Sequence, residues 1–255
     1  MAVWVTTDLH GNYDLWEQIK NFLKEEDTLI FLGDAIDRGS RGFEIFKELL
    51  EHDQVVYIRG NHEQMMYDAY TMIGPAGTES WKHWRANGGQ ATVNNMKSLH
   101  LGIKAELNLI STVQQLPHFA VYENEMGIKF NLCHAGFTPG TYFNSLDENQ
   151  KHLKFLWDRN HWNFSWPEEE EYWNWVIVHG HTPIPLMNIS GKDISLNSLT
   201  PYWYEGSHKV NLDAATANTG MAFLLNLDTL DYEVFLANPD YVEENERKKI
   251  RGKNE

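Results

Sequence analysis

Three short blocks gather the side chains of this protein that can do chemistry. They are Asp8-Leu9-His10-Gly11, Gly33-Asp34-Ala35-Ile36-Asp37-Arg38-Gly39 and Arg59-Gly60-Asn61-His62-Glu63. Carboxylate and amide oxygens with imidazoles make a donor set for divalent cations, with no thiolate to favour soft ones. A histidine ordinarily titrates near pH 6.5 and can give or take a proton near neutrality. Metal-assisted chemistry with a proton donor at hand is what these residue types support.

Each block follows a short apolar run: Val3-Trp4-Val5, Thr28-Leu29-Ile30-Phe31-Leu32 and Val55-Val56-Tyr57-Ile58. Roughly 25 residues separate one block from the next, enough for a strand, a helix and two short loops, as in a βαβ repeat. Residues 12 to 24 and 42 to 51 carry the intervening helices. Leu15, Trp16, Ile19, Phe22 and Leu23 fall at helical spacing on one face, as do Phe43, Phe46, Leu49 and Leu50. A third helix is expected from Glu63 to about Met72, after Asn61 and His62 at the end of the third strand. In an open parallel sheet, loops at the carboxyl ends of the strands lie side by side, so the three blocks converge.

The pattern Asp-x-His-Gly, Gly-Asp-x-x-Asp-Arg-Gly, Gly-Asn-His-Glu resembles the calcineurin-like metallophosphoesterases. The nearest branch is the phosphoprotein-phosphatase type, which includes phage and bacterial protein phosphatases and diadenosine-tetraphosphate hydrolases. Leu132-Cys133-His134-Ala135-Gly136, Leu156-Trp157-Asp158-Arg159 and His179-Gly180-His181-Thr182-Pro183 continue the likeness, which spans residues 3 to 213. The resemblance implies an α/β fold, the four-layer α/β/β/α sandwich of two facing sheets, with a helical excursion near residues 74–116.

The resemblance also implies a two-metal site. Asp8, His10 and the bridging Asp34 would hold one ion; Asp34, Asn61, His134 and His181 would hold the other. The ions are expected to be Mn²⁺, with Fe or Zn²⁺ as alternatives. His62 would act as general acid with Asp37 on its other ring nitrogen, while Arg38 and Arg159 would clamp the phosphate. Two readings stay open for His179: contact with metal or substrate, or packing. The same holds for Trp157, Trp162, Trp166, Trp173 and Trp175, which either pack or wall a substrate pocket. Cys133 reads as a buried strand residue.

The expected activity is hydrolysis of a phosphoric ester, with a phosphorylated protein or a nucleotide as substrate. A Ser/Thr phosphoprotein phosphatase is the first reading and a bis(5′-nucleosyl)-tetraphosphatase the second. An inactive binding module is the alternative from another class; no ligand or acid–base position is replaced to favour it.

At 255 residues with 42% hydrophobic content, the chain can bury a large core. Its formal charge of −15 disfavours a nucleic-acid partner, and no apolar run approaches the roughly 20 residues of a membrane span. A single cysteine excludes an intramolecular disulfide and suits a reducing compartment, so a cytoplasmic location is expected. One domain is expected over 1–240, followed by a charged tail, 241–255. After the excursion, with its Gly/Pro turn at 74–77 and its Trp84 to Thr92 pattern, strands are expected at 119–122, 128–133, 175–178, 209–212, 222–225 and 232–235. Together they would form the second sheet.

Overall fold

A computed structural model describes residues 1–189, 192–193 and 200–237. The first half runs β1 (Val3–Thr6), α1 (Tyr13–Phe22), β2 (Thr28–Phe31), α2 (Gly42–Glu51), β3 (Val55–Tyr57) and α3 (Asn61–Thr71). β1 pairs in parallel with β2, and β2 with β3. Thus the repeat read from the sequence forms. The helices shield one face of this sheet. α2 buries Phe43, Ile45, Phe46 and Leu49, each worth about 1.5–3 kcal/mol on burial. Phe46→Ala would cost about 3–5 kcal/mol through the cavity it leaves.

α3 begins two residues before the expected start. Glu63 explains this: its carboxylate accepts the Gly60 amide at 3.0 Å, capping the first turn from inside it. Asn61 and His62 therefore sit on a helix. Their divergence comes from helical rotation rather than strand alternation.

The excursion consists of α4 (Gly74–Trp84), a kinked segment (Arg85–Gly89), α5 (Gln90–Leu99), α6 (Ile103–Ser111) and a 3₁₀ turn (Thr112–Gln115). Gly74 to Gly77, expected as a turn, is the start of α4, with proline inside the first turn, where its missing N–H costs nothing.

The remaining elements are β4 (Phe119–Glu123), β5 (Lys129–Cys133), α7 (Thr141–Asn144), α8 (Glu148–Trp157), β6 (Trp175–His179), β7 (Asn188–Ile189), β8 (Lys192–Asp193), β9 (Tyr202–Tyr204), β10 (Lys209–Asn211), α9 (Thr216–Thr219), β11 (Met221–Asn226) and β12 (Tyr232–Leu236). The second sheet has the order β4-β5-β6-β10-β9. β11 and β12 do not join it. They extend the first sheet to β12-β11-β1-β2-β3, with β11 antiparallel to β1. The strands at 222–225 and 232–235 exist as expected, but in the other sheet. β11 is buried along its whole length, and only a central position between β1 and the β12 edge covers both its faces.

The two sheets pack through Val3, Val5, Ile30, Leu132, Val178, Val210, Phe223 and Leu225. α1 to α3 and the excursion cover the outer face of the first sheet. Phe155 of α8, with Phe137, covers Cys133 and Ile177 on the outer face of the second. The layers are α/β/β/α. The expected tail, 241–255, and the end of the expected domain at 240 lie outside the described residues.

Candidate metal centre

The candidate residues stand just beyond the carboxyl ends of five strands: Asp8 and His10 after β1, Asp34 after β2, Asn61 after β3, His134 after β5 and His181 after β6. Backbone bonds zip these loops together. Asp8 N donates to Gly33 O at 3.0 Å, His10 N to Asp34 O at 3.0 Å, and Gly180 N to His134 O at 2.8 Å. Two bonds tie one sheet to the other: His181 N to Asp8 Oδ2 at 3.0 Å and His134 Nδ1 to Leu32 O at 2.8 Å.

This crowding has a backbone signature. Asp8, His10, Asp34, Asp37, Arg38 and His181 all adopt positive φ between 44° and 71°, a region that costs a non-glycine residue energy and recurs at functional sites. Close approach also selects glycine: a Cβ on Gly180 would stand 2.1 Å from Asp8 Oδ2, and one on Gly60 2.2 Å from Asp34 Oδ1.

The ligating atoms fall into two groups that share Asp34: His10, Asp34 and His62, and Asp34, His134 and His181. Asp34 Oδ2 lies 3.7 Å from His10 Nε2 and 3.4 Å from His134 Nε2. Asn61 Oδ1 adds to the second group, 2.8 Å from both His134 Nε2 and His181 Nδ1. Asp8 Oδ1 adds to the first at 3.8 Å from His10 Nε2. The sequence expectation had not put His62 beside His10. Its Nε2 stands 3.8 Å from Asp34 Oδ2, while Nδ1 donates to Asp37 Oδ2 at 2.6 Å.

The donor set fits divalent cations. His10 Nδ1 donates to Ile36 O at 3.0 Å and His134 Nδ1 to Leu32 O, so each turns Nε2 inward, the tautomer that a metal takes. Asp8 Oδ1 is buried with no hydrogen-bond partner, an arrangement that costs a carboxylate dearly unless a cation meets it.

Electrostatics agree. Burial pushes the Asp8 carboxyl up, and the Asp34 charge adds to this against His134. Burial works to lower His134, but Asp34, Asp8 and Glu63 overcome it and raise the imidazole to about 9. Burial also works to raise Asp34, yet the neighbouring His134 and His62 hold it well below the usual carboxylate range. Without cations the centre gathers protons instead, as a preformed metal site does. Burial, then the adjacent His134 and Arg159, keep His181 well below its ordinary value, and burial with His62 does so for His10.

Arg38 lies at the open side. Its guanidinium donates to His10 Nε2 at 2.6 Å and to His62 Nε2 at 3.2 Å. Arg159 is exposed and donates to Thr182 Oγ1 at 3.1 Å, beside His181. Both arginines thus reach the rim. His62 is raised above its ordinary value: burial opposes this, but the charges of Asp34 and Asp37 prevail.

Of the two histidines on β6 and its loop, only His181 joins the centre. His179 Nδ1 donates to Gly180 O at 3.0 Å, and Nε2 accepts from the Tyr204 hydroxyl at 2.6 Å. Both ring nitrogens are thus engaged away from the donor groups. Among the five tryptophans, Trp157 alone approaches the site, its ring 6.2 Å from that of His181. Trp162 packs with Met187 and Tyr204, and Trp166 stacks on His208. Cys133 is buried in β5, and burial pushes its thiol up.

Several supporting residues carried no role in the sequence reading. Glu63 accepts the amides of Asp34 at 2.8 Å and Ala35 at 2.9 Å as well as that of Gly60; its place at the third position of α3 was the available signal. Thr7 donates to Asp8 Oδ2 at 2.5 Å. Asp213 is buried close enough to Asp8 and Arg38 to feel both charges, and burial followed by Asp8 pushes it well above the usual range.

The family model described as calcineurin-like phosphoesterase matches residues 1–213. Serine/threonine-protein phosphatase 2 of Escherichia coli is 28% identical over 160 residues, covering 62% of this chain and 68% of that protein. The protein of the same name from Salmonella typhimurium is 30% identical over 148 residues, 55% of this chain and 61% of its own length. The asymmetrical bis(5′-nucleosyl)-tetraphosphatase PrpE of Bacillus velezensis is 24% identical over 249 residues, covering 84% and 94%. A protein serine/threonine phosphatase structure from Saccharomyces cerevisiae superposes with a TM-score of 0.56 at 14% identity, covering 94% of this chain and 82% of that one. That likeness speaks for the fold.

Proposed function

This chain belongs to the calcineurin-like phosphoesterase family, and we propose that it hydrolyses phosphoric esters with two divalent ions, Mn²⁺ being preferred. The observation that carries the reading is Asp34 Oδ2, standing between two groups of buried nitrogen and oxygen donors. Asp8, His10 and Asp34 would hold one ion; Asp34, Asn61, His134 and His181 the other. Bound there, the ions supply Lewis acidity and bring the pKa of water toward neutrality.

The protein's own groups do the rest. Arg38, held at the mouth by its contacts with His10 and His62, is placed to turn its fork onto phosphoryl oxygens. Arg159 meets the same group from the Thr182 side. His62 gives the leaving oxygen its proton from Nε2, and Asp37 on Nδ1 favours the protonated ring. The Asp37 bond would serve a metal-binding ring equally, so the metal content of a His62 variant separates the two roles.

The substrate we favour is a Ser/Thr phosphoprotein, supported by the names of the enterobacterial relatives. A dinucleoside tetraphosphate is the second reading. It is favoured by the coverage of the Bacillus relative, which extends over 84% of this chain. A cytoplasmic location accords with the single, reduced and buried Cys133; among the described residues no helix is long and apolar enough to cross a membrane.

Parallel steady-state kinetics with a phosphothreonine peptide and a dinucleoside tetraphosphate, Mn²⁺ present, test both levels. A higher kcat/KM on the peptide supports the first substrate, and the reverse supports the second. No hydrolysis of either, or of a simple aryl phosphate, would refute the activity itself.

A further inference from the structure

Two side chains of the helical excursion end on Asp37, and neither belongs to the metal or phosphate groups. Trp84 Nε1 donates to Asp37 Oδ1 at 3.0 Å and to Oδ2 at 2.8 Å. Thr92 Oγ1 donates to Asp37 Oδ1 at 2.6 Å and accepts the Asp37 amide at 2.9 Å. Asp37, Trp84 and Thr92 are each 0% exposed. The carboxylate is thus gripped on both oxygens, and Oδ2 faces His62 Nδ1 at 2.6 Å.

A kink between α4 and α5 explains how residues 84 and 92 reach one carboxylate. Gly88 takes φ 104° within it, and its carbonyl accepts the Arg38 amide at 3.3 Å. A Cβ on Gly88 would stand 2.9 Å from Arg38 N, and one on Gly89 2.6 Å from the Trp84 ring. Backbone therefore seats directly against the loop carrying Asp37 and Arg38, and the kink at Gly88 aims Trp84 and Thr92 at it from the two flanking helices.

The metal ligands are held by other means. Asp34 is fixed through Glu63 and the His62 amide, and His134 through Leu32. Loosening Asp37 would leave them in place, yet it would free the imidazole of His62 to swing about its Cβ.

We propose that Trp84 and Thr92 are positioning residues: they lock the Asp37 carboxylate so that it orients His62 toward the leaving oxygen, and the excursion thereby sets the efficiency of proton donation. The proposal rests on the acid role given to His62 above. Its signature is dependence on the leaving group, because an alkoxide needs a proton whereas an aryl oxide departs with little help.

The test uses Trp84→Phe, Thr92→Val and Thr92→Ser in the Mn²⁺-loaded enzyme, with kcat and KM measured on an alkyl and an aryl phosphate. A positioned acid is worth about 10²- to 10⁴-fold, so losing one of its supports should lower kcat on the alkyl ester by about 10-fold. The aryl rate should stay within about 2-fold, with KM and metal content unchanged, and Thr92→Ser should restore the alkyl rate. Placed on Asp37→Asn, Trp84→Phe should add nothing, since effects relayed through one residue do not sum. Equal slowing of both esters, metal loss, or full additivity with Asp37→Asn would overturn the proposal. If Trp84→Phe fails to fold, the Val and Ser pair at position 92 decides. His62→Asn separates the two levels. If it does not discriminate between the esters, the acid role falls; if it does while the Trp84 and Thr92 variants do not, only the positioning role falls.

Discussion

His134 Nε2 stands 2.8 Å from Asn61 Oδ1, although its other ring nitrogen already donates to Leu32. A neutral ring would set two acceptors against each other. A proton or a cation between them removes the conflict, so this contact makes the centre sensitive to pH and to metal.

Metal and pH dependence follow from it. Exhaustive chelation should abolish phosphatase activity, and Mn²⁺ should restore it more fully than Mg²⁺, because imidazole donors favour the transition ion. In the metal-free protein His134 is raised to about 9. Its proton stabilises the fold fully below the unfolded value near 6.5, and that contribution is lost as pH rises through about 9. The melting temperature of the metal-free protein should therefore fall from pH 6.5 to 9, and that of the Mn²⁺ form should change less, since the ion has displaced the proton. Parallel slopes in the two forms would contradict this.

Asp34→Asn removes the carboxylate between the two donor groups. Bound metal, by elemental analysis, and kcat should fall together. Asp158→Asn is the matched control: its carboxylate pairs with Lys154 at 3.0 Å and caps the Asn160 amide at 2.7 Å, away from the centre. It should keep its metal and most of its activity. Equal losses from the two variants would move the site.

For His62→Asn, metal content should persist while kcat on an alkyl phosphate drops by about 10²- to 10⁴-fold, the usual worth of a general acid. The aryl ester should lose less. Asp37→Asn should show the same pattern more weakly. Because His62 stands beside His10 and Asp34, loss of metal in the His62 variant is the alternative outcome, and it would make His62 a ligand.

Histidines 179 and 181 should separate cleanly. His181→Gln removes a nitrogen 2.8 Å from Asn61 Oδ1 and should cost metal and activity. His179→Gln disturbs a bond to Tyr204 and should lower stability by about 1–3 kcal/mol, as expected for leaving a buried polar partner unsatisfied. Urea denaturation and metal analysis of the purified variants check both.

The sequence by itself determined which candidate donors stand at the strand ends. Asp8, Asp34 and Asn61 each follow an apolar run closely enough that local pattern decides where the strand stops, and parallel pairing then brings the ends together. The helices of the first half were legible for the same reason, since amphipathic spacing is a local property. What only the tertiary structure decided involves pairs distant in the chain. β11 and β12 resemble β5 and β6 in pattern, and only packing shows that they add to β1 rather than to the second sheet. His179 and His181 lie two residues apart with the same chemistry, yet Tyr204 claims one ring and Asn61 and His134 the other. Trp84 and Thr92 stood out as a pattern, but their grip on Asp37 depends on a kink at Gly88 that places residues about 50 positions away against one loop. Side-chain type and local period are written along the chain. Which two groups meet is set by where the layers press together, and no short window of sequence contains both partners.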